Sequence, residues 1–194
     1  MALLVIGLAL FFSPHLIPTQ PHIRHALVDR WGLNIYKGAF SVASLIGLGL
    51  IIVAFSEVRY LSSNIQLWNP PVWTRHLAFL IMLPAMILLV AAYVPSRLRT
   101  AAKHPMLVAI KLWALGHLLA NGDLAAVLLF GSFLAYAVFD RISLKRRSVG
   151  PPPNLSNGIT NDVLVVVLGV VLFVFMLTIG HARLIGVPLL PGWA

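Results

Sequence analysis

The chain has 194 residues, of which 60% are hydrophobic and only 10% are charged. This composition excludes a soluble domain and indicates a polytopic, all-α membrane protein, because only helices can satisfy the backbone of such segments in lipid. There is no cysteine, which excludes disulfides, iron–sulfur clusters and covalently attached c-type haem. The net charge of +9 comes from a few loop residues, so we interpret it as a topology signal and a lipid contact rather than as nucleic-acid binding.

Six apolar segments are predicted to cross the bilayer, since a crossing needs about 20 residues. Their approximate bounds are residues 1–17, 35–55, 72–94, 104–120, 123–140 and 162–180. We expect them to form a single transmembrane domain over residues 1–194. The first segment lacks a basic start and a small-residue cleavage site, so we expect a retained helix rather than a signal peptide.

The connections differ in character. Residues 19–36 mix basic and aromatic side chains, which predicts a short amphipathic helix at the membrane interface. Residues 96–103 (SRLRTAAK) are predicted to be a loop. The proline- and glycine-rich stretch 150–161 is predicted to be a flexible, solvent-exposed connection.

Lysine and arginine are concentrated in the loops that follow odd-numbered segments. Only Arg59, Arg75 and Arg183 fall on the other side. The positive-inside rule therefore predicts cytoplasmic odd-numbered loops and both termini outside, which in a bacterial inner membrane means the periplasm.

Seven histidines supply most of the ligand chemistry, and ionisable groups at membrane depth are expected to be functional. The topology puts His15 and His104 near the cytoplasmic face. It puts His76, His117 and His181 toward the outer face. His104 and His117 are thirteen residues apart, about 20 Å along one helix, so they cannot share a metal.

Two histidines on different helices can hold a b-type haem within a bundle, and depth favours the pairing of His76 with His117. Lys111 shares a helical stripe with His104 and is a candidate to bind a haem propionate; alternatively, it extends toward the cytoplasmic interface. Asp140 should lie level with His104 and hydrogen-bond to it. The alternative for any one histidine is a packing residue with a satisfied hydrogen bond.

The string HPMLVAIKLWALGHLLANGDLAAVLLFGSFLAYAVFDRISLKRR resembles the signature of the NnrU family of bacterial membrane proteins. The phrases WTRHLAFLIMLPAMILLVAAY and RWGLNIYKGAFSVASLIGL also fit, so the resemblance covers nearly the whole chain up to Arg147. That family is implicated in the production of active nitrite and nitric oxide reductases. The resemblance thus implies an inner-membrane protein that supports denitrification, with the reductase system as its partner.

The chain is also similar to zeta-carotene isomerase, a membrane enzyme with a b-type haem held by two histidines. His104-Pro105, His117 and Asn121-Gly122 match a motif of that enzyme. This resemblance implies haem b with His15 and His117 as the iron ligands. His76 matches another of its histidines and is the alternative second ligand.

Other functions remain open at this stage. A haem-dependent isomerase is one, although the isomerase reaction itself need not transfer. The His-Pro opening also resembles S-adenosylmethionine-dependent membrane methyltransferases, but Met106-Leu107-Val108 stands where they have Tyr and Gly. A cofactor-free transporter or assembly scaffold would instead use Lys111, His104 and Asp140 as an anion site or proton relay.

Overall fold

The computed structural model describes residues 1–150 and 158–190. Within these ranges every regular element is helical, apart from an isolated bridge between Gln66 and Asp123, which confirms the all-α fold. Residues 151–157 of the predicted flexible connection lie outside the described residues. The chain divides into two compact units, Met1–Ile65 and Gln66–Ala194.

The first unit is built from two long apolar helices and a short polar one. Its elements are α1 (Ala2–Leu16), a 3-10 turn (Ile17–Thr19), α2 (Pro21–Trp31) and α3 (Leu33–Val58). The helix α1 packs along α3, and α2 contacts α3. Close approach is possible because Gly47 of α3 lies directly against the backbone of Phe11.

The second unit is organised around α4, which packs against both α6 and α8, while α6 packs against α7. Its elements are α4 (Val72–Ala91), α5 (Arg97–Ala102), α6 (Pro105–Ala120), α7 (Leu124–Arg146), α8 (Ile159–Phe175), a π-helical turn (Met176–Gly180) and α9 (His181–Ile185). The α4–α8 contact again uses a small residue, since Gly169 lies against Ile87.

Five helical stretches of the described chain are long and apolar enough to cross a membrane: Ala2–Thr19, Leu33–Val58, Val72–Ala91, Leu124–Arg146 and Ile159–Ile185. The sixth predicted segment corresponds to the shorter apolar helix α6. Leucine, isoleucine and valine side chains are exposed along these helices, as expected of surfaces that face lipid. The chain is therefore a multi-span membrane protein.

Some helix ends differ from the prediction. The helix α7 ends at Arg146 rather than near residue 140, and α3 covers Leu33–Val58 rather than residues 35–55. Hydropathy marks where a helix leaves lipid, whereas the helix itself continues while its backbone hydrogen bonds persist. Residues 96–103, predicted as a loop, contain α5, whose first turn is capped by the Ser96 hydroxyl accepting from the N–H of Arg99 at 3.1 Å.

Two polar contacts fix the connections of the second unit. The backbone N–H groups of Leu67 and Trp68 both donate to the carbonyl oxygen of Gly122, at 2.8 and 3.1 Å, and so hold the turn between α6 and α7. At the other end, the carboxylate of Asp162 in α8 accepts from the backbone N–H of Arg97 at 2.7 Å. These contacts set the positions of α6 and α8, which carry the site described next.

Candidate functional site

His117 lies in the last turn of α6 with a fixed ring. Its Nδ1 is 2.8 Å from the carbonyl oxygen of Trp113, one turn earlier. A carbonyl can only accept, so Nδ1 carries the proton and donates it, and Nε2 has a free lone pair in the neutral ring. This tautomer is the one that a histidine adopts as a metal ligand through Nε2.

His181 begins α9, directly after the π-helical turn, and is held in the same way. Its Nδ1 is 2.8 Å from the carbonyl oxygen of Val187. The ring therefore donates from Nδ1 and also leaves Nε2 unprotonated. Single-turn π-helical segments occur often at functional sites, and this one immediately precedes the histidine.

The rings of His117 and His181 form a nearly parallel pair, with 15° between their planes and 6.4 Å between their centroids. Ring faces in contact would be much closer. The two rings thus lie parallel without contact between their faces, and each leaves its Nε2 unprotonated.

Aromatic side chains surround the inner member of this pair. The ring of Phe130 in α7 stacks on His117 with centroids 4.3 Å apart and 21° between the planes. Trp113 lies 5.2 Å from His117 and makes edge contacts with Phe130 and Phe133. Trp113 therefore packs against the neighbouring helix, and the pair has the apolar wall that a flat cofactor requires.

His15 belongs to the first unit. It lies in the last turn of α1, where its Nδ1 is 2.6 Å from the carbonyl oxygen of Phe11. Its ring stacks on that of Phe11 at 4.3 Å and lies 4.9 Å from that of Phe40. His15 thus has the same tautomer as the pair in the second unit.

His76 lies in the second turn of α4, and its side chain is exposed. The described ring contacts of His117 involve Trp113, Phe130 and His181. The structure therefore brings His181, rather than His76, beside His117. Sequence reasoning had placed all three at the same depth but did not choose His181 as a ligand.

The opposite end of α6 is charged. His104 precedes the helix as its N-cap, and Lys111 lies two turns further on, half-buried. Burial and the positive charge of Arg141 lower the pKa of His104, while Asp140 opposes them. Asp140 also lies 3.7 Å from the guanidinium of Arg147. The electrostatic effect of Asp140 on His104 agrees with the expectation that the two residues lie level in the α6–α7 hairpin.

The donor set available at this position is one pair of neutral imidazoles, those of His117 and His181. The described residues contain no group of three or more histidine, cysteine, aspartate or glutamate side chains that could hold an ion. Two neutral imidazoles are the donors needed when a porphyrin supplies four further nitrogens. His117 and His181 would provide these two donors through their Nε2 atoms.

Comparison with known proteins gives one family. The model of the family described as NnrU protein matches residues 3–189, which includes both units and both histidines of the pair. No curated protein and no solved structure matches the chain.

Proposed function

The chain belongs to the NnrU family, and from this premise we propose that it is a bacterial inner-membrane protein that supports denitrification. In this role it helps to produce active nitrite and nitric oxide reductases, and it does so by binding haem b through His117 and His181. The observation that supports haem is the parallel pair of imidazoles, 6.4 Å apart, whose Nδ1 atoms both donate to carbonyl oxygens.

His117 is common to every pairing that the sequence and the structure favour. His181 is our choice as its partner because its ring lies nearly parallel to that of His117, with 6.4 Å between the centroids. His15 and His76 are the alternatives that the sequence favours. The exposed side chain of His76 does not support that pairing.

The protein's own groups would orient the haem ligands and exclude water. The carbonyl oxygens of Trp113 and Val187 fix the tautomers of the two imidazoles. Phe130 covers one face of the His117 ring. When bound, haem would supply one-electron chemistry, and His117 and His181 would hold its iron.

Lys111 is the proposed partner for a propionate. It lies six residues before His117 on α6, about 9 Å along the axis and about 120° around it. Its long stem would have to bring the ammonium group around the helix, with the methylene groups in apolar surroundings.

The experiment is an absorption spectrum of the full chain, produced with ample haem and recorded oxidised and reduced. We expect a sharp Soret band and split visible bands of a six-coordinate b-type haem. His117→Ala should lose the haem at normal membrane level, whereas His22→Ala, an exposed histidine of α2, should keep it. A folded protein that stays colourless after haem addition would contradict the proposal.

A cofactor-free scaffold or transporter is the second candidate, favoured by the charged groups near the end of α7, where Asp140 lies 3.7 Å from Arg147. Reductase activity separates the two. In a denitrifying host, a scaffold predicts that Asp140→Asn lowers nitric oxide reductase activity while His117→Ala does not. The haem proposal predicts the reverse order of effects.

A further inference from the structure

The helix α7 has one continuous exposed face, which we call the α7 stripe. Successive side chains of a helix differ in direction by about 100°, so positions spaced by three, four and seven residues follow one line along its surface. The exposed side chains on this line are Ala135, Val138, Phe139, Ile142, Lys145 and Arg146. The stripe is therefore apolar as far as Ile142 and cationic from Lys145 to the end of the helix.

The acidic residue of this helix end lies on the opposite side. Asp140 is the one carboxylate within residues 135–147, and it is about 160° around the helix from the middle of the α7 stripe. There it lies 3.7 Å from the guanidinium of Arg147, whose Nε also donates to the Ser143 hydroxyl at 3.1 Å. The stripe itself thus carries two cations and no carboxylate of α7.

The change from apolar to cationic side chains occurs at the depth of the lipid headgroups. From Leu124 to Ile142 the helix rises about 27 Å, close to the roughly 30 Å of the hydrocarbon core of a bilayer. Lys145 and Arg146 follow about 5–6 Å further along the axis, where the phosphates of the lipids lie. The α7 stripe therefore presents its apolar part to acyl chains and its two cations to phosphate groups.

We propose that the α7 stripe binds an anionic phospholipid, with its phosphate at Lys145 and Arg146 and an acyl chain along Phe139 and Ile142. Arginine binds phosphate through two N–H groups, and lysine adds a point charge. A zwitterionic lipid fits less well, because its own amine neutralises its phosphate. A soluble acidic partner would contact only the last turn of α7, whereas a lipid contacts both parts of the stripe. The binding needs no haem, so it goes beyond the function proposed above.

The test measures lipid binding to the full chain in detergent by native mass spectrometry. Phosphatidylglycerol and phosphatidylcholine with identical acyl chains are titrated, and the ratio of their affinities is compared between variants. We expect the wild type to prefer phosphatidylglycerol. The double variant Lys145→Gln/Arg146→Gln should lower this preference about 5- to 30-fold, since each cation near the headgroups strengthens the binding of anionic lipid roughly 5-fold. Glutamine favours helix as well as lysine and arginine do, so α7 should keep its fold.

Arg30→Gln/Lys37→Gln is the matched control, because it removes the same charge from two exposed positions of the first unit. It should keep the preference, as should the charge-conserving variant Lys145→Arg. An equal loss in the control, or a wild type that binds both lipids alike, would overturn the proposal. Inorganic phosphate at matched ionic strength should not displace phosphatidylglycerol, since it has no acyl chain. Displacement by phosphate would show a site for simple anions and overturn the lipid assignment.

Discussion

The rings of His117 and His181 are nearly parallel, with 15° between their planes and 6.4 Å between their centroids. If both bind haem iron, His181→Ala should leave a five-coordinate, high-spin haem. We expect a blue-shifted Soret band and the loss of the sharp split bands, with haem still bound through His117. The measurement is the spectrum of the purified variant.

His76→Ala is the matched control, because its exposed side chain lies in the same unit. It should leave the spectrum unchanged. A change of spin state in His76→Ala or His15→Ala, with His181→Ala unaffected, would show instead that the pairing favoured by the sequence is right.

Gly47 and Gly49 provide a matched pair within α3. A Cβ at Gly47 would lie 2.6 Å from the backbone nitrogen of Phe11, whereas a Cβ at Gly49 would meet nothing within 4 Å. Gly47→Ala should therefore separate α1 from α3 and destabilise the protein by about 1–3 kcal/mol. Gly49→Ala should be neutral or stabilising by up to about 1 kcal/mol, since alanine favours helix.

Thermal unfolding in detergent, followed by circular dichroism, compares these two variants directly. Equal melting temperatures for Gly47→Ala and Gly49→Ala would contradict the close packing of α1 on α3.

Gly122 determines how the turn between α6 and α7 is held. A Cβ there would collide with the carbonyl oxygen of Trp68. The backbone N–H of Trp68 in turn donates to the carbonyl oxygen of Gly122. The side chain of Asn121 donates to the carbonyl oxygen of His117 at 2.9 Å, so a shift of this turn reaches the histidine. Gly122→Ala should lower the melting temperature and also weaken haem retention.

Gly131→Ala, in the middle of α7, is the control because an added Cβ there meets nothing within 4 Å. A Gly122→Ala variant that melts and binds haem as Gly131→Ala does would show that this turn does not support the site.

Asp162 ties α8 to the connection before α5. Its carboxylate accepts from the N–H of Arg97 at 2.7 Å and lies 3.4 Å from the Arg97 guanidinium. Asp162 is half-buried but Arg97 is exposed, so water can replace the lost acceptor, and Asp162→Ala should cost about 0.5–1.5 kcal/mol. Asp29→Ala, at an exposed position of α2, should not change the melting temperature. Equal decreases of the melting temperature in Asp162→Ala and Asp29→Ala would contradict a stabilising role for the contact between Asp162 and Arg97.

The absence of cysteine allows a clean topology test with single introduced thiols. Ala101 in α5 and Ser62 after α3 both have exposed side chains. The distribution of positive charge predicts that Ser62→Cys is labelled from outside intact spheroplasts, and that Ala101→Cys is labelled only after permeabilisation. The opposite pattern would invert the proposed orientation and move both termini to the cytoplasm.

Much of the fold was predictable because lipid leaves the chain few choices. Apolar length identified the five long spans and the shorter apolar helix α6, and the basic and aromatic composition after α1 predicted the short helix α2. The end of α7 was not predictable from hydropathy, since residues 141–146 are polar yet remain helical. The helix α5 depends on one side-chain cap, Ser96, which the sequence shows but does not distinguish from a loop serine.

The site was predictable in part. Sequence position gives depth, and it put His117 and His181 at the same level. It does not say which helices are neighbours, so it could not choose between His181 and His76. The residues 176–180 (MLTIG) do not predict a π-helical turn from their sequence; in the structure, Gly180 lies close to the side chains of Met176 and Phe175.

That turn makes the site sensitive to chain length as well as to side-chain identity. Successive side chains of a regular helix differ in direction by about 100°, so a widened turn changes the direction of every side chain that follows it. Removing a single residue from Met176–Gly180 would restore the regular α-helical winding and turn the His181 side chain toward a different neighbour. Both His117 and His181 would still be present in the sequence. A comparison of related sequences that checks only whether both histidines are present would miss such a change. A one-residue gap within positions 176–180 of the alignment would reveal it.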